Sequence, residues 1–199
     1  MNRARFAALA VAALLPLGLT ACSAPTPEAP AASPGNTVAP AEAGSLLATH
    51  GLEGKSGREI VEALDQEAAA RPLPLMGSVR YGEVLLSDGT TEEVVPIEGD
   101  EFYLSIAPYA SQTHECFYHS LATCMGEMQA APVHVKIVDS AGKVLVDEDA
   151  TTYANGFVGF WLPKDISGEV TVTADGKTGT VPFATGKDDA TCLTTLKVA

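Results

Sequence analysis

The chain is poor in positive charge and contains few cysteines. Its 199 residues include 12 Lys and Arg against 25 Asp and Glu, which gives a formal net charge of −13. Because proteins bind the phosphates of nucleic acids mainly through Lys and Arg, we expect no nucleic-acid partner. An acidic surface suits a soluble protein outside the cell, but charge alone does not indicate a metal site.

Several catalytic motifs are also missing from the sequence. It contains no glycine-rich phosphate-binding loop and no G-x-S-x-G nucleophile elbow. No two cysteines have the CxxC spacing of a zinc knuckle or of a thiol–disulfide redox motif. These absences favour a binding protein over an enzyme of those classes.

The N-terminus resembles a bacterial export signal. Two arginines precede an apolar run over residues 6–17, which is too short to span a bilayer. The run leads into Leu-Thr-Ala-Cys, which resembles a lipobox and ends at Cys22. We therefore predict that residues 1–21 are a lipoprotein signal peptide and that Cys22 is lipid-modified. The alternative is an ordinary secretory peptide followed by an unrelated cysteine.

The expected location is extracytoplasmic, on the periplasmic or outer face of the cell membrane. Two or more acyl chains on Cys22 would anchor the protein stably to that membrane. Removal of residues 1–21 also removes both arginines of the signal, so the net charge of the mature chain becomes −15 instead of −13.

A tether is predicted between the lipid anchor and the folded part. Residues 23–44 contain five Pro and seven Ala with little apolar bulk. Residues 22–44 are therefore expected to form an anchor and a disordered tether, with a reach of roughly 70 Å at about 3.1 Å per residue. We divide the folded part into a helical N-terminal part, residues 45–90, and a β-sandwich, residues 91–199.

A short helix is predicted near the start of the folded part. Ser56 and Glu59 have the spacing of a capping box. The apolar residues that follow recur at helical spacing: Ile60, Val61, Leu64 and Ala68. Arg71-Pro72 is predicted to end this helix. A weaker helical turn over residues 46–49, ended by Gly51, precedes it.

From Val79 onward the apolar pattern has a period of two residues, which indicates β-strands. The predicted strands cover residues 79–87, 92–97, 101–107, 133–139, 143–147, 157–162, 169–174 and 178–183, and a last strand carries Cys192. Short strands separated by Asp-Gly and Ala-Gly turns are typical of a β-sandwich. We predict an α+β, mostly β fold, with a small helical N-terminal part, an antiparallel Ig-like β-sandwich and a cysteine-rich loop between two strands.

Residues 113–128 concentrate side chains that bind metals. The segment contains two Cys, two His and two Met, namely His114, Cys116, His119, Cys124, Met125 and Met128. It lies between two predicted strands, and long irregular insertions of this kind are usually functional. Thiolate and thioether sulfur beside imidazole select copper(I) over hard ions. The segment therefore predicts a copper site.

Cys192 is the third cysteine of the folded part. An exported protein with an odd number of cysteines cannot pair all of them internally, and a bound metal would account for the remaining thiol. The Cys-x7-Cys spacing of Cys116 and Cys124 is a weak signal by itself. Cys192 strengthens it only if the fold brings the last strand beside the loop.

Both cysteine segments resemble those of the CueP family. The stretch HECFYHSL, the Thr-Cys pair that follows it and the C-terminal TCLTT carry the resemblance, which extends over the mature domain. It implies a periplasmic protein of bacterial copper resistance that binds copper through Cys116, Cys124 and Cys192. It also implies reduction of copper(II) to copper(I) and copper supply to an exported Cu/Zn superoxide dismutase. The lipobox and tether depart from the soluble periplasmic form.

The remaining candidates have both functional and ordinary interpretations. His114 and His119 can supply imidazole to incoming copper(II) or lower the pKa of a thiol, but lone loop histidines are often only solvated. Met125 and Met128 can donate thioether sulfur, but loop methionines more often fill packing gaps. His134 alternates with valines and is expected to face solvent.

Two other functions fit parts of the pattern. A lipid-anchored surface binding module would contain a structural disulfide and one inert thiol and would bind no metal. A thiol–disulfide oxidoreductase would exchange with protein disulfides, although the lack of CxxC argues against it. In the copper-binding hypothesis, two thiolates that close to a disulfide release two electrons, which offers a route to copper(II) reduction.

Overall fold

The computed structural model describes residues 45–199. In this range the helices are α1 (Ser45–Thr49), which is the predicted short turn, and α2 (Gly57–Asp65). The strands are β1 (Met76–Val79), β2 (Glu83–Ser87), β3 (Glu92–Pro96), β4 (Glu101–Ile106), β5 (Pro132–Asp139), β6 (Val144–Thr151), β7 (Val158–Pro163), β8 (Ser167–Ala174), β9 (Lys177–Ala184) and β10 (Cys192–Leu193). The predicted signal peptide, lipidation site and tether lie outside the described residues. Between residues 45 and 199 no helix is long and apolar enough to cross a membrane.

Helix α2 begins where the sequence predicts and ends earlier. Ser56 Oγ accepts a hydrogen bond from the Glu59 N–H at 3.3 Å, and the Glu59 carboxylate accepts one from the Ser56 N–H at 2.8 Å. This reciprocal pair confirms the capping box. The prediction that the helix continues to Arg71-Pro72 is wrong, because the Arg71 guanidinium binds the carbonyl oxygens of Leu64 and Asp65 and turns the chain back there.

Strands β1, β2 and β3 form an antiparallel sheet. The sequence predicts one strand over residues 79–87, but the structure has two. The chain reverses between them, where the Arg80 N–H donates to the Glu83 carbonyl at 2.8 Å. The predicted boundary between the helical N-terminal part and the β-sandwich, between residues 90 and 91, falls in the turn between β2 and β3. The strands before and after it pair in one sheet.

The other seven strands form two sheets that share a core. One sheet is antiparallel with the order β6-β5-β8-β9, and the other has the order β10-β4-β7. Their shared core includes Phe102, Leu104, Ile106, Val133, Val135, Ile137, Val158, Leu162, Val170 and Val172. The predicted mostly β, α+β class with a small helical N-terminal part is confirmed. One pairing departs from the antiparallel rule, since β10 is two residues long and runs parallel to β4.

A second apolar cluster lies between the helices and the first sheet. It contains Ile60 and Val61 of α2 and also Tyr103 of β4. Because side chains alternate along a strand, β4 is buried on both faces, with Phe102 and Leu104 in the sandwich core. The end of α2 therefore lies against the face of β4 that is turned away from the sandwich core.

Candidate metal centre

The loop between β4 and β5 is hydrogen-bonded to β1 on both sides of His119. The Val79 N–H donates to the His119 carbonyl, and the Leu121 N–H donates to the Gly77 carbonyl, both at 2.9 Å. These bonds continue the antiparallel pattern of the first sheet into the loop. The backbone that carries His119 is therefore held in place although it belongs to no regular strand.

The ends of the same loop are tied together by Glu127. Its carboxylate accepts hydrogen bonds from the backbone N–H groups of Ala110 and Ser111 at 2.7 and 3.0 Å, and also from the Ser111 hydroxyl. Next to it, the Gly126 N–H donates to the Asn155 carbonyl at 2.7 Å. The loop thus returns close to its starting point before β5 begins.

Strand β10 brings the third cysteine to this loop. Cys192 lies opposite Ser105 in the parallel pairing with β4. The Cys192 N–H donates to the Phe117 carbonyl at 3.1 Å, and the Thr191 hydroxyl accepts from the His119 N–H at 2.9 Å. The last strand therefore lies beside the cysteine-rich loop, which is the arrangement that the sequence required if Cys192 is to join the other two cysteines.

The five predicted side chains form one cluster. All three cysteines are free thiols, with Cys124 and Cys192 buried and Cys116 half-buried. The sulfurs of Cys116 and Cys124 are 3.4 Å apart, in contact but not bonded. Two sets of three ligand atoms lie within 4.8 Å of one another: one from His114, Cys116 and Cys124, and one from His119, Cys124 and Cys192. Cys124 belongs to both sets.

His119 is fully buried, and a carboxylate orients it. Its Nε2 lies 2.9 Å from Oδ1 of Asp65, which is also fully buried. The Tyr103 hydroxyl donates to the other Asp65 oxygen at 2.6 Å, and the Asn155 amide donates to Oδ1 at 2.7 Å. With Nε2 bonded to Asp65, Nδ1 faces the Cys192 sulfur at 3.6 Å. A carboxylate that binds the far nitrogen of a histidine is a frequent support for a metal ligand.

His114 has a different environment. It is half-buried, and its Nε2 is a buried atom with no hydrogen-bond partner. It borders two open clefts, of about 290 and 310 Å³, and the second of these is also lined by Cys116. His114 thus lies on the solvent side of the cluster, with 6.2 Å between its ring centroid and that of Phe157, whereas buried His119 packs closer to the same ring, at 4.6 Å.

The three thiols differ in acidity. Hydrogen bonds from Cys116 and Cys192, together with the nearby His119, lower the pKa of Cys124 far below the usual thiol range. The contact with Cys124 raises the pKa of Cys116 to about 12. Contacts with the other two sulfurs, together with burial, raise the pKa of Cys192. The neighbours of Cys124 thus favour its thiolate, which is the form that binds metals.

The charge on His119 follows from its partner. Burial lowers the pKa of His119, but the Asp65 carboxylate outweighs this effect and raises it to about 9. For Asp65, burial raises the pKa, and the charge and hydrogen bonds of His119 outweigh it and lower the pKa. Asp65 and His119 thus form a buried ion pair behind the sulfurs.

The other candidates lie outside the ligand sets. Met128 packs against the sandwich core, and Met125 is exposed at the cleft beside His114. His134 faces solvent, as predicted, between Asp147 and Asp149.

Asp65, Tyr103 and Asn155 also belong to this site, although they were not predicted from the sequence. One signal for Asp65 was available, because it lies four residues after Val61 and therefore on the apolar face of α2. An acidic residue on that face needs a buried partner. No local pattern indicates which partner, since His119 is 54 residues away.

Comparison with known proteins agrees with the resemblance seen in the sequence. The family model described as periplasmic copper-binding protein CueP matches residues 59–197, a range that contains the whole cluster. The crystal structure of S.CueP is 45% identical, with a TM-score of 0.77 and coverage of 79% of this chain and 98% of that chain. A search of curated proteins finds no match. The chain belongs to the CueP family of periplasmic copper-binding proteins.

Proposed function

We propose that this protein binds copper(I) through Cys116, Cys124 and Cys192 outside the cytoplasm, as part of copper resistance, with His114 and His119 as additional ligands. The observation that carries the proposal is the convergence of three free thiols, from two segments far apart in the chain, within ligand distance of two imidazoles. A structural disulfide module has no need for a third thiol and two histidines at the same point.

The ligand chemistry favours copper(I) over harder ions. Thiolate sulfur and imidazole nitrogen suit copper(I), whereas calcium and magnesium take oxygen ligands. The buried carboxylate beside His119, that of Asp65, already accepts hydrogen bonds from His119, Tyr103 and Asn155. The apolar side chains of Ala107 and Phe157 pack against the buried sulfurs and keep water away from them.

Competition for copper(I) with a specific chelator tests this assignment. Serine in place of Cys116, Cys124 or Cys192 is expected to weaken the affinity of the reduced protein for copper(I). His134→Ala is the control, because His134 is an exposed histidine outside the ligand sets. If all three cysteine variants hold copper(I) as tightly as the wild type, the proposed site is wrong.

We also propose that the thiols reduce copper(II). Two thiols lose two protons and two electrons as they form one S–S bond, and two copper(II) ions each accept one electron. The third sulfur and the histidines then remain as ligands for copper(I). The 3.4 Å contact between the sulfurs of Cys116 and Cys124 supports this step, because little movement is needed to bond neighbouring sulfurs in this cluster.

The redox step has its own readout. Reduced protein mixed with copper(II) in the absence of oxygen is expected to lose two titratable thiols per molecule and to generate two copper(I) ions. Protein whose thiols are blocked beforehand by alkylation serves as the control. If copper(II) binds while every thiol survives, the protein only stores copper.

Membrane attachment through Cys22 is the proposed reason for the Leu-Thr-Ala-Cys motif. Mass spectrometry of the protein isolated from its native membrane is expected to show an N-terminal cysteine with two or three acyl chains. Cys22→Ser is expected to release the protein from the membrane fraction. An unmodified N-terminus at a later residue contradicts the proposal.

Delivery of copper to an exported Cu/Zn superoxide dismutase is the proposed downstream step. Half-buried Cys116 supports it, because a partner's ligand can reach copper there by exchange. Copper-loaded protein is expected to restore dismutase activity to the copper-free, zinc-loaded enzyme, and a Cys124→Ser variant is expected not to do so. If the wild type and Cys124→Ser restore dismutase activity equally, the enzyme has taken its copper from solution and not from this protein.

A further inference from the structure

We propose that the cluster holds copper(I) at two alternative positions, an outer one formed by His114, Cys116 and Cys124 and an inner one formed by His119, Cys124 and Cys192. The inference rests on the proposed copper site and refines it. All three sulfurs bind copper in this scheme, but never all at once. The two positions share one ligand, Cys124, and differ in the other two.

The outer position is open and loosely supported. Its ligands His114 and Cys116 are half-buried. The imidazole of His114 has a nitrogen without a hydrogen-bond partner, so no protein group fixes the orientation of the ring by that atom. Two clefts reach the position from solvent, one past Met125 and the other past Cys116. These features suit the arrival and departure of a metal ion.

The inner position is closed and rigidly supported. His119 is fully buried, and only 3% of Cys192 is exposed. Asp65 holds Nε2 of His119 at 2.9 Å and is itself held by Tyr103 and Asn155, so that Nδ1 stays turned towards Cys192. A ligand fixed in this way loses little conformational entropy when the metal binds, which favours tight retention.

The shared sulfur connects the two positions. Copper that moves inward keeps its bond to Cys124 while His119 and Cys192 replace His114 and Cys116, so the ion is never released to water. The same exchange in reverse returns copper to the surface. Cys124 suits this role because its sulfur lies within 4.8 Å of the other ligand atoms in both sets. Asp65 acts as a positioning residue that makes the inner position the preferred one.

X-ray absorption at the copper edge tests the scheme on the wild-type protein. Reduced protein with one copper(I) per molecule is expected to show two sulfur ligands and one imidazole nitrogen. The nitrogen should remain in His119→Gln and in His114→Ala, because the other position still supplies a histidine, and it should disappear only when both histidines are replaced. Three sulfurs and no nitrogen would overturn the two positions while leaving the three-cysteine site intact.

The matched serine variants at the two ends of the cluster give a second test. Cys192→Ser is expected to lower copper(I) affinity by about tenfold or more, because even indirect partners of a metal ligand change affinity by about 10- to 100-fold. Cys116→Ser is expected to slow copper(I) capture from a weak chelator, followed by stopped flow, with a smaller loss of affinity. If the two variants change the capture rate and the affinity equally, the two-position scheme is wrong. If neither variant changes either quantity, the proposed copper site itself is wrong.

Discussion

Strand β4 separates two buried regions that are stabilised by different means. On one face, Phe102 and Leu104 enter a core built from apolar side chains. On the other face, Tyr103 and Ser105 hydrogen-bond to Asp65, next to the thiols. Burial is nearly complete on both faces. The apolar face gains stability from surface removed from water, whereas the polar face depends on each buried group having a partner.

The two regions differ in the substitutions that they tolerate. An apolar core accepts changes that preserve volume, because its contacts have no fixed direction. The polar network has only a few directed bonds around Asp65, so the loss of one leaves others unpaired. We therefore expect substitutions in the apolar core to lower stability only, and substitutions in the polar network to lower both stability and copper(I) affinity.

Removal of Asp65 should give the largest effect. Asp65→Ala leaves His119, Tyr103 and Asn155 without their common partner and should lower the free energy of unfolding by about 3–5 kcal/mol. Copper(I) affinity should also fall, because His119 is no longer oriented. Urea denaturation and chelator competition measure the two quantities.

Ile137→Ala is the matched change in the sandwich core, where it should cost about 2–5 kcal/mol and leave copper(I) affinity unchanged. Asp65→Asn, which retains an acceptor oxygen, should be milder than Asp65→Ala in both measurements. If the core variant loses copper(I) as strongly as Asp65→Ala, the two regions are not independent.

A single methyl group at Gly159 should give an intermediate effect. Gly159 of β7 lies under Tyr103, and a Cβ atom there would be 1.8 Å from the Tyr103 hydroxyl oxygen. Gly159→Ala should therefore push Tyr103 away from Asp65 and cost about 1–3 kcal/mol in unfolding free energy. Gly82→Ala is the control, because its nearest neighbour would be the Lys164 side chain at 3.8 Å. Equal stability of both variants would show that Tyr103 moves without cost.

The smallest effect concerns the hydrogen bonds by which Glu127 joins the two ends of the loop between β4 and β5. The Ser111 hydroxyl and the N–H groups of Ser111 and Ala110 lower the pKa of Glu127 to about 2. Because this value lies below the usual 4.5, the stabilisation is complete above pH 4.5 and is lost as the pH falls towards 2. The carboxyl carbon of Glu127, followed by NMR, should titrate near pH 2, and Ser111→Ala should move the midpoint upward. A midpoint near 4.5 in the wild type would mean that these hydrogen bonds do not form in solution.

Strands with one buried face and one exposed face were predictable, because their apolar and polar residues alternate. Val133, Val135 and Ile137 enter the core while His134 and Lys136 face outward, so the pattern by itself identifies β5. The end of α2 was not predictable, because Arg71 binds the helix carbonyls across a turn that has no periodic signal. The hairpin between β1 and β2 was missed because its connection, Arg80-Tyr81-Gly82, contains no Asn-Gly or Asp-Gly pair.

The site was predictable in its ligands but not in its arrangement. The cysteines and histidines stand out by type, and the resemblance to one family joins Cys192 to the loop. The division into an inner and an outer histidine depends on Asp65, whose contacts with Tyr103 and Asn155 span 38 and 90 residues. Such contacts leave no trace in local spacing.

The parallel pairing of β10 with β4 also determines when the site exists during the life of a chain. During synthesis Cys116 and Cys124 come first, and Cys192 follows 68 residues after Cys124. Until that last short strand docks beside Ser105, the outer set of ligands is complete, whereas the inner set lacks Cys192. In the proposed scheme, tight retention of copper is therefore reserved for molecules that have finished folding, whereas a truncated or half-folded chain has only the open outer position.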